Sequence, residues 1–460
     1  MEQAKKRELN LTEGSPFKLI IAFCIPMILG NMFQQLYNFV DTMIVGHFLG
    51  VEALAGVGAT GSINFLIVGF CLGACSGFAI PVAQRYGAKD YVALRKYVAN
   101  AIYLSVALSI GVTITVSLLC RNILQLMRTP DNVIDYSYTY ILTIFIGIPV
   151  TFFYNILAGI IRAIGDSKTP LYFLIISTII NVFLDCLFIA GLGWGVFGAA
   201  FATVCSQLIS GILCLILVIK RFTILHVSNE EWRLDRKYIR TLCRMGLPMG
   251  LQYSITAIGS VILQSSVNML GALSVAAVTA ASKVNMLFLC ILDALGSSMA
   301  TYGGQNLGAG RIDRIRQGTK AATVIGVIYC ALAFIVAIIV RRPLINMFID
   351  KPIPEMLDMA SLHVLVTVGS LVFLIHVDVL RFLIQGLGYS NIAVLAGAFE
   401  MVARTVAGIF IIPKIGFIGA CIASPLAWIL ADMFLFPAYF NIMKKLELMM
   451  ESKTKSIINV

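Results

Sequence analysis

Residues 186–219 and 245–282 contain no Asp, Glu, Lys or Arg. A bilayer core is crossed by about 20 consecutive apolar residues, so each run holds a whole span and part of a neighbouring one. Composition agrees: 59% of residues are hydrophobic and 12% charged, where soluble proteins average about 25% charged. The chain reads as an all-α polytopic membrane protein. Its first residues, MEQAKKRELN, are charged and precede a long apolar segment containing Pro26, with no A-x-A-like cleavage site, so the first helix is expected to be retained.

Breaking the apolar runs at Gly, Pro and charged clusters predicts twelve helices, near 17–40, 54–80, 96–119, 134–160, 170–190, 196–219, 242–268, 272–300, 318–340, 358–384, 391–412 and 417–440. With the N-terminus cytoplasmic, 26 of the 34 Lys and Arg fall on the cytoplasmic side, with a residue near 381 counted among them. The outer side holds Arg121, Arg128, Arg341, Arg342, Lys351 and Lys414, which leaves Lys283 and Arg404 inside spans. Basic residues concentrate in cytoplasmic loops, so both termini are expected inside and the net charge of +11 is explained by topology rather than by nucleic acid.

A basic stretch, Lys220–Arg244, separates two sets of six helices, and the halves match at a shift of 221 residues. Leu49-Gly50 falls on Leu270-Gly271, Gln84 on Gln305, Gly87-Ala88 on Gly308-Ala309, and Gly198-Ala199 on Gly419-Ala420. An even number of helices per repeat keeps the repeats parallel. The expected architecture is therefore two six-helix lobes related by pseudo-two-fold symmetry along the membrane normal, an arrangement found among secondary transporters. The expected division is an N-terminal lobe over 1–219, a connecting loop over 220–244 and a C-terminal lobe over 245–460.

Several motifs reduce to structural roles. Gly56-Val57-Gly58-Ala59-Thr60-Gly61 satisfies G-x-G-x-x-G by letter but follows no strand, and no Walker A sequence occurs, so neither a nucleotide cofactor nor direct use of ATP is expected. Gly69, Gly73 and Gly77 form a small-residue row suited to close helix packing in lipid. The eleven Cys are scattered without a C-x-x-C pair and read as packing residues, and the four His are too dispersed for a metal enzyme. No catalytic constellation is present.

Carboxylates inside spans carry more information, because a charge at mid-bilayer costs at least ~2.5–3.5 kcal/mol and usually faces a cavity or partner. Asp41 and Asp185 lie inside first-half spans, and the second half has no carboxylate at either matching position. On helix 1, Gln34, Tyr37, Asn38 and Asp41 form one polar stripe; on helix 5, Thr178, Asn181 and Asp185 form another. Asn181 is one turn from Asp185, where its amide can donate to a carboxylate or share a cation. Two carboxylates close together in a low dielectric cannot both ionise easily, so one would hold a proton near neutral pH; both ionised, with Asn181 and nearby hydroxyls, they would form an all-oxygen site suited to Na+. The residues leave H+ and Na+ open.

In the second half, Glu400 and Arg404 are spaced for a helical ion pair, and Lys283 and Asp293 are too far apart for a direct bond. Asp378 shows no local partner and is the second-lobe candidate. Pro26 lacks the amide proton of one helical bond and is a candidate hinge that carries Asp41.

The pattern P-x(14)-D from Pro26 to Asp41, Q-R-Y-G-A-K-D over Gln84–Asp90, I-R-A-I-G-D-S-K-T-P over Ile161–Pro170 and N-V-F-L-D over Asn181–Asp185 together resemble the multidrug and toxic compound extrusion (MATE) family, from about Phe17 to Phe440. The resemblance implies export of organic, often cationic, amphipathic compounds in exchange for H+ or Na+, with Asp41, Asn181 and Asp185 coupling the ion and Tyr37, Asn155 and Thr203 joining the pocket. It implies a multi-pass protein of the bacterial inner membrane, expected as a monomer in the lipid bilayer, whose partners are small-molecule drugs or metabolites. NorM-type members carry an acid on helix 7, which Leu247–Asn268 lacks, so the DinF-type pattern fits better. The alternative in the same superfamily is a lipid-linked oligosaccharide flippase. Such a protein should line its cleft with Arg or Lys, and by this reading the spans hold only Lys283 and Arg404.

Overall fold

The computed structural model describes residues 9–127, 129–348 and 353–458, with side chains to 452. The predicted cytoplasmic cluster Lys5–Arg7, and Arg128 and Lys351 on the predicted outer side, lie outside the described residues. All regular elements among them are helical. The first half comprises α1 (Pro16–Ala59), α2 (Gly61–Gly87), α3 (Tyr91–Leu126), α4 (Ile134–Ile146), α5 (Ile148–Ala163), α6 (Lys168–Asp185) and α7 (Gly195–Arg221). The second comprises α8 (Arg236–Asn268), α9 (Ala272–Gly308), α10 (Ile312–Asn346), α11 (Pro354–Gly369), α12 (Leu371–Gly386), α13 (Ser390–Val406), the short α14 (Ile412–Ile415) and α15 (Phe417–Ile458). Ten are long and apolar enough to cross a membrane singly. The pairs α4/α5, bent by 48°, and α11/α12, bent by 47°, bring the number to twelve if each is one span.

The 221-residue repeat is written into the backbone. Gly50 (φ 84°) in α1 has its counterpart in Gly271 (φ 91°) before α9, and both sit in a region that only glycine adopts cheaply. Lys89 and Gly310 share positive φ, as do Gly195 and Gly416. A π-helical stretch, Cys186–Gly191, follows α6, and another, Ala407–Ile411, follows α13 at the same place in the repeat.

Several boundaries differ from expectation, two of them with a plain local cause, and one basic residue is placed differently. The first helix does not stop near 40 but continues through MIVGHFL, whose single Gly46 is tolerated inside the helix, and turns at Gly50. The eighth begins at Arg236, six residues before the expected start at 242, because Arg236–Arg244 is rich in good helix formers that need not be in lipid. Arg381 belongs to neither a loop nor a cytoplasmic end: it is buried within α12 at 8% exposure, so one residue of the cytoplasmic count is in fact a third basic group inside the spans.

The described chain forms two compact units. Of the described residues, one unit contains 9–10 and 25–254 and the other 11–24 and 255–458, so α1 and α8 each contribute to both. In the first unit the Gly69, Gly73, Gly77 row meets the beginning of α8. A Cβ on Gly73 would stand 2.6 Å from the Met249 carbonyl, and Gly77 packs directly on Gly246, so the two backbones touch only because side chains are missing. The connecting loop is clasped to α3, where Arg95 Nε lies 2.7 Å from Glu231 Oε2. The Arg95 guanidinium hydrogen-bonded to it holds the Glu231 carboxyl down to about 2, so the clasp persists as pH falls until that range is reached. In the second unit, the segment before α1 is tied down by Arg314 Nη1 donating to the Gly14 carbonyl (2.9 Å) and Asn306 Nδ2 donating to the Leu11 carbonyl (3.2 Å).

Two motif aspartates have local roles. Asp90 Oδ1 accepts from Ala93 N at the start of α3 (3.1 Å), and Asp166 accepts from Lys168 N, Thr169 N and Thr169 Oγ1 at the start of α6. Both satisfy amide groups that the first helical turn leaves unpaired.

Candidate coupling site

The first unit gathers polar side chains from four helices. Asp41 on α1 is 7% exposed, and Asn181 and Asp185 on α6 are fully buried. The two carboxyl groups are near enough to interact electrostatically with one another. With its amide oriented so that donors meet acceptors, Asn181 Nδ2 donates to Asp185 Oδ2 (2.9 Å) and its Oδ1 accepts from Thr203 N (3.3 Å). Tyr37, one turn before Asp41, shares a 2.7 Å hydrogen bond with Thr203 Oγ1 on α7. Among the described residues, Asp41 Oδ1 and Asp185 Oδ1 find no donor.

The local sequence explains the placement. Steps of four residues put Tyr37 above Asp41 and Asn181 above Asp185. Asp185 is the last residue of α6, where the π-helical stretch begins, a distortion frequent at functional positions. Two carboxyl groups buried near one another cannot both ionise without cost, so the arrangement can hold and release a proton. Among the described residues no group of three or more His, Cys, Asp or Glu is placed to hold a metal ion.

Of the expected pocket, Tyr37, Asp41, Asn181, Asp185 and Thr203 come together. Gln34 and Asn38 are exposed. Asn155 Nδ2 donates to the Thr151 carbonyl (2.8 Å), and Thr178 Oγ1 to the Leu174 carbonyl (2.9 Å), so these two spend their donors on their own helices. One member was missed: Tyr140 on α4, 8% exposed, interacts electrostatically with both Asp41 and Asp185. Its helix carries Tyr136, Tyr138 and Tyr140, and nothing in that row distinguishes the one that faces the carboxylates.

The second unit holds a different cluster. Asp378, expected to lack a local partner, accepts from Arg381 Nη2 at 2.6 Å; the partner went unseen because Arg381 was placed near a cytoplasmic end. Arg381 Nη1 also donates to Glu400 Oε1 (2.8 Å), and the expected Glu400–Arg404 pair forms at 3.3 Å. Among the described residues Arg381 thus joins Lys283 and Arg404 inside the spans, but Arg381 and Arg404 are engaged by carboxylates. Their cluster is not an open basic lining of the kind a pyrophosphate would need.

A helical fold of two repeated halves, with a buried carboxyl pair in one of them, defines a membrane transporter rather than an enzyme. The chain belongs to the MATE family: the family model MatE matches residues 26–187 and 248–410, one stretch in each half. It is similar to the probable multidrug resistance protein YpnP of Bacillus subtilis (strain 168), 32% identical over 75% of this chain and 77% of that protein. The probable multidrug resistance protein YoeA of the same organism is 26% identical over 94% of this chain and 96% of its own length. A solved outward-facing multidrug resistance transporter of the MATE family shares the fold, with TM-score 0.89 and 22% identity over 96% of this chain and 99% of that one.

Proposed function

We propose that this chain is a secondary active multidrug efflux antiporter that exports organic, often cationic, amphipathic compounds by alternating access, with H+ as the exchanged ion. The observation that carries the reading is the burial of the Asp41 and Asp185 carboxyls near one another, with Asp41 Oδ1 and Asp185 Oδ1 finding no donor among the described residues. Two acids buried side by side in a low dielectric favour a state in which one of them holds a proton. Cargo and proton oppose one another if each stabilises a different conformation or competes for the same lobe, and each then weakens the other's binding by the same free energy. Pro26, inside a helix that continues through it, is the proposed flexing point of α1. The first-lobe placement of the pair fits the DinF-type pattern, and the transporter is proposed to act as a monomer.

The test uses inside-out vesicles with an imposed gradient and no ATP. A pH gradient should drive uptake of a dye such as ethidium, whereas a Na+ gradient at fixed pH should not. Strict dependence on ATP under a maintained gradient would remove the antiporter reading, and drive by Na+ alone would move the proposal to the other ion.

Orientation follows from the basic loops: the 220–244 loop and both termini are proposed to face the cytoplasm. A cysteine introduced at Ser228, which is exposed, should react with an impermeant maleimide in inside-out vesicles and not in intact cells. Labelling from outside intact cells reverses the assignment.

A further inference from the structure

Lys283 stands eleven residues into α9, roughly 16 Å from the helix end at Ala272, yet its side chain is exposed. That distance exceeds the reach of a four-carbon stem, so the ammonium is not brought to the membrane surface by stretching past the helix end. It faces instead a cavity of about 460 Å³ within the second unit. Ala276, Thr279, Ala280 and Lys283 line it at spacings of three, four and seven, one stripe of a helix about 10 Å long. Phe348 and Met356 close the other side. Thr279 Oγ1 donates its proton to the Val275 carbonyl (2.8 Å), and among the described lining residues Lys283 is the one that carries a charge. No carboxylate among the described residues forms an ion pair with it; Asp293 is ten positions further along and turned about 80° round the helix.

An ammonium inside a membrane protein faces a cavity and a partner, or it is strongly disfavoured. Here the cavity is present and the chain's described residues do not supply the partner. The apolar walls exclude a fully hydrated small anion as the best fit and suit a ligand with an apolar body. We propose that this cavity seats the anionic group of an amphipathic organic acid, a carboxylate or a phosphate, with Lys283 Nζ as the counter-charge and Ala276, Ala280, Phe348 and Met356 against its apolar body. This deepens the transport reading, on which its physiological meaning rests, by extending the cargo to organic anions alongside cations.

The experiment measures binding to purified full-length protein in detergent, where no gradient is needed, so its failure is separate from a failure of efflux. The probes are carboxyfluorescein and rhodamine 6G, which share a xanthene frame and carry opposite charge. Wild type should bind carboxyfluorescein. Lys283→Met should weaken that binding about tenfold or more and leave rhodamine 6G unchanged, while Lys283→Arg stays close to wild type. Ala280→Phe, which fills the cavity and keeps the charge, should also remove carboxyfluorescein binding. Displacement by 1-naphthoate against 1-naphthyl phosphate distinguishes the two anions. Thermal unfolding of each variant verifies folding, and Lys283 is exposed, so its replacement should not disturb the core. The proposal is overturned if wild type does not bind carboxyfluorescein, if Lys283→Met binds it as tightly, or if both dyes weaken together.

Discussion

Replacing Asp185 by Asn is expected to reduce gradient-driven efflux to that of membranes lacking the transporter, and Asp41→Asn to do the same. Asparagine nearly preserves the shape of the carboxylate and still forms hydrogen bonds. The pair is buried but uncharged partners suffice for packing, so folding should survive. What disappears is the ability to bind and release a proton, because an amide neither ionises nor shares a proton with the remaining carboxyl. Asn181 donates to Asp185 in the wild type and can donate to the amide oxygen in the variant, so the local hydrogen bond is kept. Binding of cargo in detergent should persist, and the loss should appear only in uphill transport per folded molecule. Near wild-type uphill efflux by either variant would end the first-lobe coupling model and make Asp378 the next residue to examine.

Arg381→Met should have the largest effect on stability. Its guanidinium bonds Asp378 at 2.6 Å and Glu400 at 2.8 Å, and the two acids are 1% and 2% exposed. Removing the arginine leaves two buried carboxylates with only Arg404, at 3.3 Å from Glu400, to balance them. Stranding a buried charge costs about 3–5 kcal/mol, a large share of the stability of most domains. The expected result is a sharp fall in folded yield and a lower unfolding midpoint in detergent. Adding Asp378→Asn and Glu400→Gln to Arg381→Met should recover much of the loss, because the uncompensated charges are then gone. An unchanged midpoint in the single variant would show that water reaches the cluster and that the ion pairs are not sustaining the fold.

The helices and their repeat were readable because lipid imposes a simple rule: long charge-free runs have few alternatives to crossing the membrane. The motif aspartates were visible as motifs, and the structure gives Asp90 and Asp166 capping roles at helix starts. Asp41 and Asp185 stood out because charges inside spans are expensive, and helical periodicity alone aligned Tyr37 and Asn181 with them. Tyr140 did not stand out, since which tyrosine of α4 faces the carboxylates depends on how α4 packs against α3 and α7. The same limitation hid Arg381. A basic residue four positions before Gln385-Gly386 looks like the approach to a loop, and only the packing of α12 on α13 shows it enclosed by acids.

The carboxyl pair occurs once, although the backbone around it occurs twice: the positions equivalent to Asp41 and Asp185 are Ile262 and Val406. This sets an electrical property of the proposed cycle. One proton moving inward against one monovalent cation moving outward transfers no net charge. Each uncompensated charge would otherwise couple the cycle to the membrane potential by about 2.3 kcal/mol per 100 mV. With a single site, export of a monovalent cation follows the pH difference at any voltage, export of an organic anion is assisted by an inside-negative potential, and a cell that collapses its pH gradient while keeping its voltage retains only the second.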